Sequence, residues 1–224
     1  MELGFRAFLL REFARLLGKR GKLVEPLIFF ALIVVCFPLA AGVDRELLAR
    51  LAPAVLWVSA LLCLLLTAYQ LFEEDFEAGI IDHIILSGQS LFWYVIAKAL
   101  VSWTLSGLLL ALLSPAFAAT LLLPNPASGW ALLAIAVGSV GATMINILSA
   151  SLTVALRNSS ILLSLISLPL FAPLLIFGGS VITAAAEGAD PVLPFMLLSG
   201  VTLLATAICP LAAAFILRYS RELY

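Results

Sequence analysis

The chain has 224 residues, 64% of them hydrophobic and 11% charged, with a formal net charge of −1. That balance lies far outside soluble globular composition, so the bilayer is the solvent, and the near-neutral charge argues against a nucleic-acid partner. At about 20 apolar residues per spanning helix, six spans and their loops fill the length and leave no room for a soluble domain.

Residues 1–23 form a basic arm. Phe5, Leu9, Phe13, Leu16 and Leu17 fall on one helical face, while Arg11, Arg15 and Lys19 follow one another at i, i+4, i+8 on the other. The pattern suits a helix lying in the headgroup layer with its apolar side down. It also suits a solvated cytoplasmic helix.

Residues 24–217 then read as a six-span membrane domain, followed by a short tail at 218–224. The apolar windows run over about 26–42, 51–72, 91–123, 130–156, 160–177 and 194–217. No charge occurs from Ala99 to Leu156, and Pro124-Asn125-Pro126 divides that run, because proline breaks helices and Asn tolerates turns. No charge occurs from Ser159 to Ala186 either. A helix ending near Phe177 already crosses the bilayer, so residues 178–193, with two early glycines and late acids beside Pro191, read as a re-entrant hairpin before the last span. Non-helical backbone at that depth needs cover from protein or access to water.

Lysine and arginine set the orientation. Both termini share one side with Arg157, giving that side Arg6, Arg11, Arg15, Lys19, Arg20, Lys22, Arg157, Arg218 and Arg221, against Arg45 and Arg50 on the other. Both termini are therefore expected in the cytoplasm. Lys98 lies inside the third window near its cytoplasmic end, where a lysine can snorkel.

Between the second and third windows lies a strongly acidic cytoplasmic segment, 73–90. Glu73, Glu74, Asp75, Glu77 and Asp82 interleave with Phe76, Ile80, Ile81 and Ile84, and Gly79 interrupts or kinks the helix they would form. Phe76, Ile80 and Ile84 recur at i, i+4, i+8, and Glu73 and Glu77 at i, i+4. An apolar ridge with an acidic flank has the shape of a docking element for a groove with basic rims. A solvated acidic loop has the same composition.

Other residues stand out less. Pro169 and Pro173 are a kink in span five, either moving or static. Gly138 and Gly141, with Asn146 on the same span, make a small-residue face that suits packing within one subunit or contact with a second copy. Cys36, Cys63 and Cys209 lie in apolar runs and read as small hydrophobes. His83 is the only histidine and adjoins Asp82 on the cytoplasmic segment, which fits an exposed residue rather than a ligand. No catalytic or metal-binding constellation and no resident cofactor are expected.

The stretch from Phe72 to Asp82 resembles the coupling segment of the CcmB-type permeases, also called haem exporter protein B. Phe29 to Leu39 resembles that family's first span, and Ser167-Leu168-Pro169-Leu170-Phe171-Ala172-Pro173 through Gly178 is the most specific match. Ala97-Lys98, Trp103 and Ser114-Pro115 fit its third span. The resemblance runs from Arg11 to about Leu217. Gly88-Gln89 stands where the family has a proline after the coupling helix.

The resemblance implies an all-α permease of the ABC-2 exporter type in the bacterial inner membrane. It implies a separate CcmA-type ATPase, a CcmC-type haem-handling membrane subunit and a small single-span CcmD-type subunit, with a periplasmic haem chaperone engaged indirectly. The function implied is in c-type cytochrome maturation, where ATP hydrolysis by the partner is coupled to haem export or to release of haem-loaded chaperone. In that reading Glu73, Glu74, Asp75, Phe76, Glu77, Gly79, Ile80 and Asp82 carry the coupling. The chain itself has no G-x-x-x-x-G-K-[ST] phosphate loop, so it is not expected to be an enzyme. Two other readings stay open: a non-transporting assembly scaffold and a secondary transporter. The second needs ionisable groups near the bilayer midplane, and the long uncharged runs do not supply them.

Overall fold

The chain forms helices throughout residues 2–18, 20–42, 45–68, 71–154 and 159–219, the residues described by the computed structural model, with short turns between them and no strand among them. The elements are α1 (Glu2–Gly18), α2 (Arg20–Ala41), α3 (Arg45–Ala68), α4 (Glu73–Glu77), α5 (Ile80–Leu86), α6 (Leu91–Ser102), α7 (Leu108–Thr120), α8 (Asn125–Thr153), α9 (Ser159–Ala186) and α10 (Val192–Tyr219).

Five helical stretches among the described residues are long and apolar enough to cross a membrane. The first expected span is the exception. Its apolar part, Val24–Ala40, is a shorter helix. At 1.5 Å per residue it rises about 25 Å, less than the roughly 30 Å hydrocarbon core.

Helix α8 is the centre of the bundle and packs against α3, α7, α9 and α10. Small side chains allow this, because Ala131, Ala134, Gly138, Gly141, Ala142 and Ala150 are all buried along it. The faces of α9 and α10 turned away from α8 are apolar and exposed at Ile161, Leu165, Leu203, Leu204 and Ile208, as suits lipid.

Trp57 of α3 is the wedge of the bundle. Its ring is buried against Gly138 of α8 and Gly178 of α9, where any Cβ would collide with it. The indole Nε1 donates to the Leu174 carbonyl at 3.2 Å. This explains a departure from the sequence reading. Gly178 and Gly179 read as helix breakers opening a hairpin at 178–193, yet α9 continues through both to Ala186. Glycine in a helix costs about 1 kcal/mol relative to alanine, and here the notch at Gly178 receives an indole. The reversal is confined to residues 187–191, where Gly188 takes φ +75° and the Ala189 N–H reaches the Ala184 carbonyl at 2.8 Å. Pro169 and Pro173 lie inside the same helix.

The third span is not uniform. Between α6 and α7, Trp103–Gly107 forms a single π-turn. Trp103 Nε1 donates to Ser139 Oγ of α8 at 3.0 Å. A Cβ on Gly107 would lie 2.8 Å from that same oxygen, so only glycine permits the approach.

Candidate functional site

The acidic segment folds as two short helices, not one. Gly79 sits between α4 and α5 with φ +67°, in the left-handed region that glycine enters without steric cost. Past the end of helix α5, Gly88 also takes φ +67°. There the Gln89 N–H bonds the Ile84 carbonyl at 3.2 Å and the Gly88 N–H bonds that of Ile85 at 3.1 Å, a Schellman motif. Gly88-Gln89 thus stops the helix where a proline was expected to.

Ile81 and Ile84 are buried, and Phe76 and Ile80 pack partly buried against the bundle core. The apolar ridge expected to dock into a partner's groove is therefore consumed within the chain. Phe76 on α4 and Ile80 and Ile84 on α5 share this inward side across the left-handed Gly79. The outward surface is instead Glu73, Glu77, His83 and Leu86.

Asp75 points inward. It is 2% exposed and sits in a cluster of charges that joins three elements far apart in sequence. Arg11 of α1 donates to Asp75 Oδ1 at 2.9 Å. Lys98 of α6 lies 2.8 Å from Asp75 Oδ2, and the Tyr94 hydroxyl donates to that oxygen. Lys98 also donates to Glu12 Oε1 of α1 at 3.1 Å. Arg15 holds Glu12 with two hydrogen bonds and donates to Glu74 Oε2 at 2.9 Å. The cations Arg11, Arg15 and Lys98 balance the carboxylates Glu12, Glu74 and Asp75.

Balance is what permits the burial. An isolated charge in an apolar interior costs several kcal/mol, and removing one partner of a buried pair leaves that cost uncompensated. Lys98 is 1% exposed, and its ammonium lies 5.6 Å from the centre of the Phe72 ring and 5.5 Å from that of Tyr94. Both are within cation–π range. Aromatic contacts flank the cluster: Phe8 meets Tyr94 edge-on at 5.7 Å and Phe5 meets Trp93 at 5.3 Å. Burial works against the charge on Arg15, but its hydrogen bonds and attraction to Glu12 hold its pKa above the ordinary arginine value.

Helix α1 keeps Phe5, Leu9, Phe13 and Leu16 partly buried, but its basic side is not simply left to water: Arg15 is partly buried and the half-exposed Arg11 reaches Asp75, while Leu10 and Leu17 are exposed. Lys19 lies outside the described residues. Lys98 does not snorkel, since carboxylates reach it inside the fold. The cluster was missed because Glu12 and Lys98 are 86 positions apart. The available signals were Tyr94 and Lys98 at i, i+4 and the lone acid Glu12 inside a basic face.

The remaining residues singled out in the sequence also have contacts within this chain. Gly138 meets Trp57, Gly141 meets Thr202 and Leu174, and Asn146 Nδ2 donates to the Leu64 carbonyl of α3 at 2.9 Å. Cys63 and Cys209 are buried and Cys36 is exposed on α2. Beside the outward face of α5 opens a cleft of about 470 Å³, lined by Gln89, Ser90 and Phe92 on one side and by Phe215 and Arg218 of α10 on the other.

The comparisons with known proteins agree with one another. The profile of the CcmB protein family matches residues 4–220. Heme exporter protein B of Pseudomonas aeruginosa is 40% identical over 211 residues, covering 94% of this chain and 94% of that protein. Heme exporter protein B of Haemophilus influenzae is 39% identical over 224 residues, covering 97% and 99%, and that of Paracoccus denitrificans is 38% identical over 213 residues, covering 95% and 98%. With its apolar helices, its acidic α4–α5 segment and full-length similarity to these proteins, the chain belongs to the CcmB protein family.

Proposed function

We propose that this chain is the permease subunit of an ABC-type complex of the bacterial inner membrane, acting in c-type cytochrome maturation. In this reading it spans the membrane six times, with α2 as a short first span and both termini cytoplasmic. A CcmA-type ATPase docks against the outward face of α4–α5, and CcmC-type and CcmD-type subunits complete the complex. ATP hydrolysis belongs to the ATPase, and its motion drives haem, or haem-loaded chaperone, to the periplasmic side.

The observation that supports this best is the division of the acidic segment. Its inner half is tied into the bundle by buried ion pairs, while Glu73 and Glu77 stay exposed at one end of the bundle. An exposed acidic surface on a rigidly anchored element is suited to receive a basic partner and pass on its motion. Electrostatic complementarity of this kind sets partner choice and association rate. The heme exporter name of the relatives supports haem as the group served.

The test is gentle extraction of the tagged chain from its native membrane and identification of what accompanies it by mass spectrometry. An ATPase and a haem-handling membrane subunit are expected together. A chain that emerges alone contradicts the reading.

A further inference from the structure

The ion cluster and the π-turn lie next to each other in the third span. Lys98 is five positions before Trp103, the first residue of the turn. On the cytoplasmic side of the turn, α6 is bound through Lys98 and Tyr94 to Glu12 of α1 and Asp75 of α4. Beyond it, α7 and the turn itself pack on α8, with Trp103 hydrogen-bonded to Ser139 and Gly107 pressed against the same side chain. The span is thus pinned by ion pairs to α1 and α4 before the turn, where α6 also packs on α10 and more lightly on α8, and by Trp103 and Gly107 to α8 at the turn. The turn that separates them is of a type found mostly as isolated irregularities at functional sites and at helix kinks.

We propose that α1, α4 and α6 form one rigid transmission unit, stapled by the Glu12–Lys98–Asp75 cluster, and that this unit swings against the rest of the bundle about the π-turn at Trp103–Gly107. The inference rests on the reading of α4–α5 as the surface that receives an ATPase. It adds that the N-terminal helix is a working part of the coupling apparatus and not only a membrane anchor. It also assigns the bending point to span three rather than to Pro169 and Pro173 of span five.

The physical argument is one of stiffness. A push on α4 meets Asp75, which three side chains from α1 and α6 hold at once. Drawing α1 or α6 away from Asp75 takes a cation from a buried carboxylate, so the three elements move together more readily than they part. The weakest link along the path is then the backbone at the π-turn. Coupling of this kind needs an element with two arrangements that both ends can bias, and a segment hinged between two bodies supplies one.

The test uses the intact complex with its ATPase, in native-lipid nanodiscs, and two spin-label pairs that differ only in which side of the turn they report. One pair is Ala14→Cys with Leu100→Cys, within the unit. The other is Ala14→Cys with Leu112→Cys, across the turn. All three positions are exposed, and Cys36, the exposed native thiol, is changed to Ser in both. Distances are measured by pulsed electron resonance without nucleotide and with magnesium-ATP.

The inference predicts that Ala14–Leu100 stays constant while Ala14–Leu112 shifts by about 2 Å or more, the scale of helix displacements in switching proteins. A shift of equal size in Ala14–Leu100 overturns the rigid unit. Constancy of both overturns the hinge. Each of these results is obtained with the ATPase bound and so leaves the permease reading standing. A complex that contains no ATPase overturns that reading and this inference with it.

Discussion

The inner and outer faces of the 73–86 segment share an acidic composition and differ in everything else. Asp75 on the inner face is 2% exposed and meets Arg11, Lys98 and Tyr94. Glu73 and Glu77, two positions away on either side, are exposed. A carboxylate withdrawn from water behaves as a structural part, because its attractions are strong and its desolvation must be balanced. An exposed one adds little to stability and is free to select a partner. On the proposed function the same residue type, in one short run, serves two tasks, and substitutions should separate them.

The largest effect is expected from Lys98→Met. It leaves Glu12 and Asp75 buried without their shared cation, a loss of roughly 3–5 kcal/mol, read as a lower melting midpoint and lower accumulation in the membrane. Asp75→Asn keeps the shape and removes the charge, so Tyr94 retains a partner. A loss of about 1–3 kcal/mol follows from weakened charged hydrogen bonds. Arg15→Lys keeps the charge but cannot span Glu12 and Glu74 with a guanidinium fork, and should lower stability by about 1 kcal/mol. The exposed Arg50–Glu46 pair on α3 is the contrasting case. Arg50→Ala should cost about 0.5 kcal/mol or less, and that small effect should fade in high salt while the Lys98 effect persists.

Glu73→Lys with Glu77→Lys completes the comparison from the outer side. Stability should stay within about 0.5 kcal/mol of the parent, while retention of the ATPase falls. Asp75→Lys is unsuited to the same purpose. It would set a third cation against Lys98 and Arg11, so lost binding would only report lost structure.

Much of the bundle is legible in the sequence. The uncharged runs, the Pro124-Asn125-Pro126 division and the break at Gly79 all correspond to features of the structure, because each is set by local chemistry: charge exclusion from lipid, a missing donor, a left-handed backbone. The turn after Thr120 carries a cost no pattern reveals, since Leu122 adopts φ 59° there. What stays hidden is long-range. Gly178 reads as a breaker until Trp57, more than 100 positions earlier, is seen filling its notch. Arg11 and Arg15 read as a wet face until Asp75 and Glu12 are seen to engage them. The amphipathic period reports that one side of α1 is polar but not whether water or buried carboxylates satisfy it. The ridge at Phe76, Ile80 and Ile84 shows the same limit. The i, i+4, i+8 spacing reports one apolar side but not whether a partner or this chain's own bundle covers it.

The most direct test of the division between the two faces is a single paired measurement on the Glu73→Lys, Glu77→Lys chain: ATPase retained on extraction, and melting midpoint of the extracted protein. Loss of the ATPase with an unchanged midpoint is the predicted result. Retention of the ATPase at the parent level would contradict the account and return the outer acidic face to a solvated surface without a partner.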